Sequence, residues 1–330
     1  MTFDPNCAAD EGSGVFGLPY SEKESALVLL PVPWEATTSY GGGTARGPAA
    51  ILKASEQVDL YDADVLKPYE AGIFMRPIPK NVIAWNKASK TAETAKVNLL
   101  SDKVNDWVYE QTRELLKEKK IVGLVGGDHS TPYGAIKAAS EKFPELGLLH
   151  FDAHHDLRIA YQGFKHSHAS ILYNVMKDCP GVGRLVQVGV RDFCEQEVEV
   201  VKGLGGRITV FYDNDLQRQK FAGSSWNQQV EAITNELPAN VWTTFDIDGL
   251  DARFCPNTGT PVPGGLDFQE ANHVLRAVAR SGRKIVGFDL NEVSPGLKGS
   301  GDWDANVGAR LLYKLCAWTL ASQGRAALKS

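Results

Sequence analysis

Little in this chain would tie it to a membrane, a nucleic acid or a disulfide framework. Its five cysteines (Cys7, Cys179, Cys194, Cys255, Cys316) are odd in number, scattered and never spaced as CxxC. Neither a set of bridges nor a zinc knuckle is expected, and a reducing cytoplasm is the simplest home. A formal net charge of -5 leaves no basic footprint for phosphate backbones, so nucleic acid is excluded as a partner. No run approaches the ~20 apolar residues that span a bilayer, and the opening MTFDPNCAADEGSG lacks the basic start and apolar core of a secretory signal. Repeats, low-complexity tracts and long Pro/Gly/Ser linkers are also missing. One domain over residues 1–330 is therefore expected, with 1–20 as a flexible or extended N-terminal segment.

What is present is a core-building composition, 43% hydrophobic and 23% charged. Short apolar runs at 26–32, 121–126, 146–151, 184–190, 207–212, 241–247 and 284–290 read as strands buried on both faces. Helical spacing falls between them at 107–120, 132–142 and 268–281, and a last helix is expected from Asn306 to about Ser322. Thr131 before Pro132 has the form of an N-cap and first-turn pair. Such alternation predicts an α/β fold of three layers, α/β/α, on a central, mostly parallel doubly wound sheet. The stretches SYGGGTARGP (39–48) and SPGLKGSGDWD (294–304) read as rim loops beside strand ends, where ligands bind in such sheets.

Six of the seven histidines lie between 129 and 168, an interval that also holds Asp152 and Asp156 and directly follows Asp128. In LHFDAHHD, an extended backbone after the strand would turn Asp152, His154 and Asp156 to one side. TTFDIDGLD places Asp246 and Asp248 two apart at another strand end, and IVGLVGGDHS ends a third in Asp128 and His129, with Gly126 and Gly127 allowing a sharp turn. One DxHxD alone would be as well explained by a solvated loop; DxHxD, DxD and GGDH at three separate strand ends, which such a fold brings together, are not. Like charges so placed demand a cation. The four carboxylates and two imidazoles of His129, Asp152, His154, Asp156, Asp246 and Asp248 outnumber the needs of one ion, so two divalent ions about 3.5 Å apart are expected. Oxygen-rich, sulfur-free ligation favours Mn(2+), with Ni(2+) or iron as alternatives. Ser130 and Thr131 read as a helix start, His155 as facing the opposite side, and His150 and His273 as packing or surface histidines.

GGDHS (126–130), DAHHD (152–156) and FDIDGLDARFCPNTGTPVPGGL (245–266) closely resemble the three signature motifs of the ureohydrolases, the arginase and agmatinase family, nearest to agmatinase-like members. VPWEATTSYGGGTARGPAAI (32–51), SHAS (167–170) and FDLNEVSP (288–295) extend the likeness over nearly the whole chain. The resemblance implies that the same six residues hold two manganese ions and that Asp156 is part of the catalytic centre. It implies that His168 shuttles protons, with His166 a nearby competitor, that Glu292 receives the guanidinium, and that Asp128 orients the site. The implied reaction is attack by a cation-acidified water on a guanidino carbon, releasing urea and an amine. It also implies a homo-oligomer, a trimer or hexamer. Ala252, where the family usually has proline, and His155, where smaller residues are common, leave the substrate open among agmatine, arginine, guanidinobutyrate, guanidine and formimidoylglutamate. Arg158 could brace a loop or meet a substrate carboxylate, and the region 157–165 is not acidic, as an amine tail would prefer. A binuclear phosphoesterase and a non-catalytic metal-dependent regulator are the readings from other classes.

Overall fold

Solid apolar runs can only be strands if both faces are covered, and that is how they fold. A computed structural model describes residues 3–9, 12–296 and 302–329. Its strands are β1 (Leu27–Val32), β2 (Val65–Leu66), β3 (Ile73–Met75), β4 (Ile121–Gly126), β5 (Leu146–Phe151), β6 (Val182–Val188), β7 (Ile208–Phe211), β8 (Asn240–Asp246), β9 (Lys284–Asn291) and β10 (Ala327–Leu328). Eight form one sheet in the order β3-β1-β4-β9-β8-β5-β6-β7, with every pairing parallel; β2 and β10 make a separate antiparallel pair.

The helices α1 (Gly47–Ser55), α2 (Lys80–Ser89), α3 (Thr94–Lys117), α4 (Tyr133–Lys142), α5 (Ile171–Asp178), α6 (Glu195–Gly203), α7 (Asp213–Phe221), α8 (Trp226–Asn235), α9 (Phe268–Arg280) and α10 (Trp303–Ser322) cover the two faces, giving three layers. One core joins α1, α9 and α10 to the sheet through Ile51, Leu275 and Trp318; the other joins α3, α4 and α5 through Val104, Ile136 and Leu172.

Several local expectations change. The helix expected at 107–120 starts at Thr94, and α10 starts three residues before Asn306. Thr131 does not cap α4: the helix opens at Tyr133 after Pro132, with no side-chain cap. The Thr131 hydroxyl instead lies 2.9 Å from both the Asp128 carbonyl and Asn291 Oδ1. Of the first rim stretch, only 39–43 is loop, since 44–46 form a turn of 3-10 helix and α1 begins at Gly47. In the second, residues 297–301 lie outside the described residues. The N-terminal segment is anchored where Val15, Phe16 and Leu18 bury, with the Phe16 ring 5.0 Å from that of Tyr313.

The sheet register positions the site. Gln187, His150, Thr244 and Asp289 stand opposite one another on β6, β5, β8 and β9, a polar row across an otherwise apolar sheet. Paired residues share a face and so do residues two apart, so the next row, at the carboxyl edge, brings in Asp152, Asp246 and Asn291.

Candidate metal centre

The six sequence-predicted donors converge. His129 Nδ1 lies 3.0 Å from Asp152 Oδ2, 3.1 Å from Asp156 Oδ2 and 3.3 Å from Asp246 Oδ2. His154 Nδ1 lies 3.2 Å from Asp152 Oδ1 and 3.3 Å from Asp248 Oδ2. Asp152 is thus common to a deeply buried half and a half nearer solvent, where the His154 side chain is 25% exposed.

Local backbone brings them there, by a route the sequence did not show. The extended-strand argument for DAHHD fails, because β5 ends at Phe151 and Asp156 sits in the left-handed region at φ 56°. Asp156 is turned inward by that conformation, pinned by its carbonyl accepting Leu172 N–H at 3.0 Å. Glu292 shares the strain at φ 61°; each such residue costs about 1–3 kcal/mol and persists only where its surroundings fix it. Gly126 and Gly127 have no positive φ; they are needed for close approach, since a Cβ on Gly127 would overlap the Trp34 carbonyl.

His150 is the main correction. It is fully buried rather than an ordinary packing or surface histidine, and its Nε2 meets Asp152 Oδ2 at 2.9 Å. Gln187 Nε2 donates to His150 Nδ1 at 2.9 Å, so His150 is the Nε2–H tautomer and donates to Asp152. Burial holds its pKa down, in keeping with a neutral ring. Gln187 Oε1 also accepts from His155 Nδ1 at 2.7 Å, on the side away from the cage. The missed signal was position: His150 precedes Asp152 by two, Thr244 precedes Asp246 by two, and Gln187 is a lone polar residue in an apolar strand.

Thr244 and Asp289 set the face of His129. His129 Nε2 lies 2.9 Å from Thr244 Oγ1, which donates to Asp289 Oδ1 at 2.8 Å; Asp289 also accepts from Trp242 Nε1 at 2.6 Å and Asn291 Nδ2 at 2.5 Å. A hydroxyl that donates to a carboxylate can only accept from the ring, so Nε2 carries a proton and Nδ1 faces three carboxylates; burial opposes a second proton there, but Asp152, Asp156 and Asp246 overcome it and raise the ring well above its ordinary pKa. A divalent cation seated there would take the place of the Nδ1 proton. Asp156 Oδ2 has no hydrogen-bond partner among the described residues, nor does Glu292 Oε2.

The electrostatics give the same result. Burial, followed by the Asp152 charge, pushes Asp156 up to about 7, and burial with Asp248 and Asp152 lifts Asp246 well above the carboxylate range. Burial opposes protonation of His154, but Asp248 and Asp152 overcome it and raise the ring to about 12. Left to itself, the cage fills with protons; carboxylates with imidazole lone pairs and no thiolate are donors that suit divalent cations.

Around it, Asp128 accepts from Thr37 N–H at 3.1 Å and Thr37 Oγ1 at 2.8 Å, and from the Ser130 hydroxyl. The Thr37 hydroxyl oxygen accepts His168 N–H at 3.1 Å, so Asp128 steadies the segment carrying His168. His168 Nδ1 is 4.0 Å from Glu292 Oε1 and its Nε2 is buried without a partner. His166 instead points at Asp102, 3.4 Å away, and packs on Tyr133. Glu292 Oε1 accepts His129 N–H at 3.0 Å. The Arg158 guanidinium lies 4.7 Å over the Tyr161 ring and 3.9 Å from Glu197. His273 meets Asn227 at the surface.

An all-parallel sheet with a His/Asp cage at its carboxyl edge defines a three-layer α/β protein with a candidate metal centre, and comparison with known proteins narrows it. The arginase family model matches residues 25–317, and the chain belongs to that family. The N(1)-aminopropylagmatine ureohydrolase of Synechocystis sp. is 30% identical over 92% of this chain and 92% of its own. That of Thermus thermophilus is 31% identical over 91% and 92%. The crystal structure of agmatine ureohydrolase of Thermoplasma volcanium shares the fold with a TM-score of 0.76 at 22% identity, covering 94% of this chain and 96% of that one. The cage fits two divalent ions. Among the described residues no helix is long and apolar enough to cross a membrane.

Proposed function

We propose that this chain hydrolyses a linear guanidino compound, agmatine or a longer amine-tailed relative, to urea and an amine, with His129, Asp152, His154, Asp156, Asp246 and Asp248 holding two Mn(2+) ions. The observation that carries the reading is the convergence of three buried carboxylates on His129 Nδ1 within 3.3 Å. What bound divalent ions supply in such a cage is acidification of a water from a pKa of about 15.7 toward neutrality. Ni(2+) is the alternative metal, since the donor types admit both.

Glu292 has one oxygen engaged by His129 N–H and the other unpaired. A guanidinium presenting paired N–H donors satisfies that free oxygen and is oriented by it. His168, whose Nε2 is buried without a partner, is placed to accept a proton there and return it to the departing amine. His166, turned toward Asp102, has no such access. The left-handed backbone at Asp156 and Glu292 supports their place in the centre, because strain gathers where side chains are held for chemistry.

Residues 1–330 act here as one catalytic domain, since one sheet takes strands from Leu27 to Asn291 and α10 packs back on α1. Assembly as a trimer or hexamer and a cytoplasmic location belong to the same reading. A carboxylate-tailed substrate is the second reading, favoured by the Arg158 fork stacked on Tyr161, whose ring lies 6.4 Å from His168. Relative kcat/KM of the Mn-loaded protein for agmatine, N(1)-aminopropylagmatine, arginine, guanidinobutyrate and formimidoylglutamate separates the two. Amine tails are expected to lead; preference for a carboxylate tail, lost in R158M, would transfer the assignment to the second reading.

A further inference from the structure

The half of the cage made by Asp152, His154 and Asp248 has a support of its own, and it comes from outside the donor set. Arg191 follows β6, and its N–H donates to the Ala153 carbonyl at 2.7 Å. Ala153 N–H in turn donates to Asp248 Oδ1 at 3.0 Å. The residue between Asp152 and His154 is therefore held from both sides.

Among the described residues, every hydrogen bond the Arg191 side chain makes goes to a main-chain carbonyl. Nη2 donates to Asp248 O at 2.7 Å, Val262 O at 3.0 Å and Leu250 O at 3.3 Å; Nη1 donates to Gly189 O at 3.1 Å and Nε to Val262 O at 3.3 Å. One planar fork thus fastens the end of β6, the turn carrying Asp248 and the loop after it. The loop closes tightly over it: Gly265, at φ 100°, would place a Cβ 2.8 Å from Nη2. Leu266 N–H donates to Gly249 O at 3.1 Å and Asp251 N–H to Leu266 O at 2.9 Å, locking the same turn. Lysine, a point donor on a flexible stem, cannot span these carbonyls.

His129 and Asp156 are supported elsewhere, His129 by Thr244 and Asp289 and Asp156 by the first turn of α5, while Asp246 accepts Asp248 N–H at 2.9 Å and so is tied to both halves. The donors peculiar to each half, His129 and Asp156 on one side and His154 and Asp248 on the other, have separate braces.

Resting on the reading of the cage as a two-cation site, we propose that Arg191 is a positioning residue for one metal subsite only, the one distinguished by His154 and Asp248, so that its loss turns a two-metal centre into a one-metal centre. Residues outside the ligand set commonly govern affinity by about 10- to 100-fold. The test is calorimetric titration of Mn(2+) into the full chain, wild type against R191M and R191K, with electron paramagnetic resonance to distinguish an isolated Mn(2+) from an exchange-coupled pair. Wild type is expected to take two ions. R191M should keep one at wild-type affinity, bind the second about 10- to 100-fold more weakly and show the isolated-ion spectrum, with R191K between. Equal weakening of both ions, or of neither, overturns the proposal. Fewer than two ions in wild type would overturn the cage reading itself and this inference with it. Should circular dichroism show R191M unfolded, R191K is judged by the same criterion.

Discussion

Thr244→Val removes one hydroxyl and changes little else, which makes it the sharpest probe of how His129 is aimed. Thr244 is fully buried, and its oxygen lies 2.9 Å from His129 Nε2 and 2.8 Å from Asp289 Oδ1. Valine leaves the ring N–H without an acceptor and Asp289 without one of its donors, where water has no access. A buried polar group stripped of its partner costs about 1–3 kcal/mol, so the metal-free protein should unfold at lower denaturant concentration. The functional consequence is larger. To bind a cation the ring must give up its Nδ1 proton and keep the one on Nε2; freed from Thr244, a singly protonated ring can instead keep its proton on Nδ1, facing the three carboxylates at 3.0, 3.1 and 3.3 Å, where it competes with a cation. Cation affinity should fall about 10- to 100-fold, measured by competition with a chelating dye, and turnover should return at high metal. If the valine variant binds Mn(2+) like wild type and unfolds at the same midpoint, the relay does not aim His129 and the argument from its tautomer is wrong.

Other outcomes are equally specific. H168N should bind two cations normally but lose turnover by about 100-fold or more, the usual worth of a positioned acid–base group, and added imidazole should restore part of it; full activity would assign the proton to another group. E292Q should raise KM for the guanidino substrate while leaving cation stoichiometry at wild-type level, and an unchanged KM would remove Glu292 from substrate binding. Asp156, raised to about 7 chiefly by burial, holds its proton more tightly folded than unfolded, so it stabilises the metal-free fold at acid pH and that contribution is lost as pH rises through about 7. Cation binding must displace this proton, so the thermal shift produced by Mn(2+) should grow from pH 5 to pH 8; a shift independent of pH would show that Asp156 is not titrating in the cage.

The central strands were legible because a strand buried on both faces must be apolar along its length, as in LVLLPV of β1 and LGLLHF of β5. Helices such as α7, DNDLQRQKF, were not, since only Asp213 and Leu216 are buried and the rest is a solvated face without strong periodicity. The cage donors were legible for a related reason: carboxylates at the ends of apolar strands have little other purpose. Their local geometry was not. The left-handed backbone of Asp156 depends on contacts with α5 that no local pattern encodes, and the clearance that demands Gly127 is set by Trp34, far away in sequence. His150, Thr244 and Asp289 escaped notice because their meaning lies in cross-strand register, and register exists only after the sheet has formed.

The most direct measurement takes the chain stripped with chelator, restores Mn(2+) to two ions per chain as verified by elemental analysis, and follows urea and amine release from agmatine and N(1)-aminopropylagmatine. Urea and amine should appear in equal amounts, vanish on chelation and return with metal. A folded protein carrying both ions that leaves every guanidino compound intact would contradict the account.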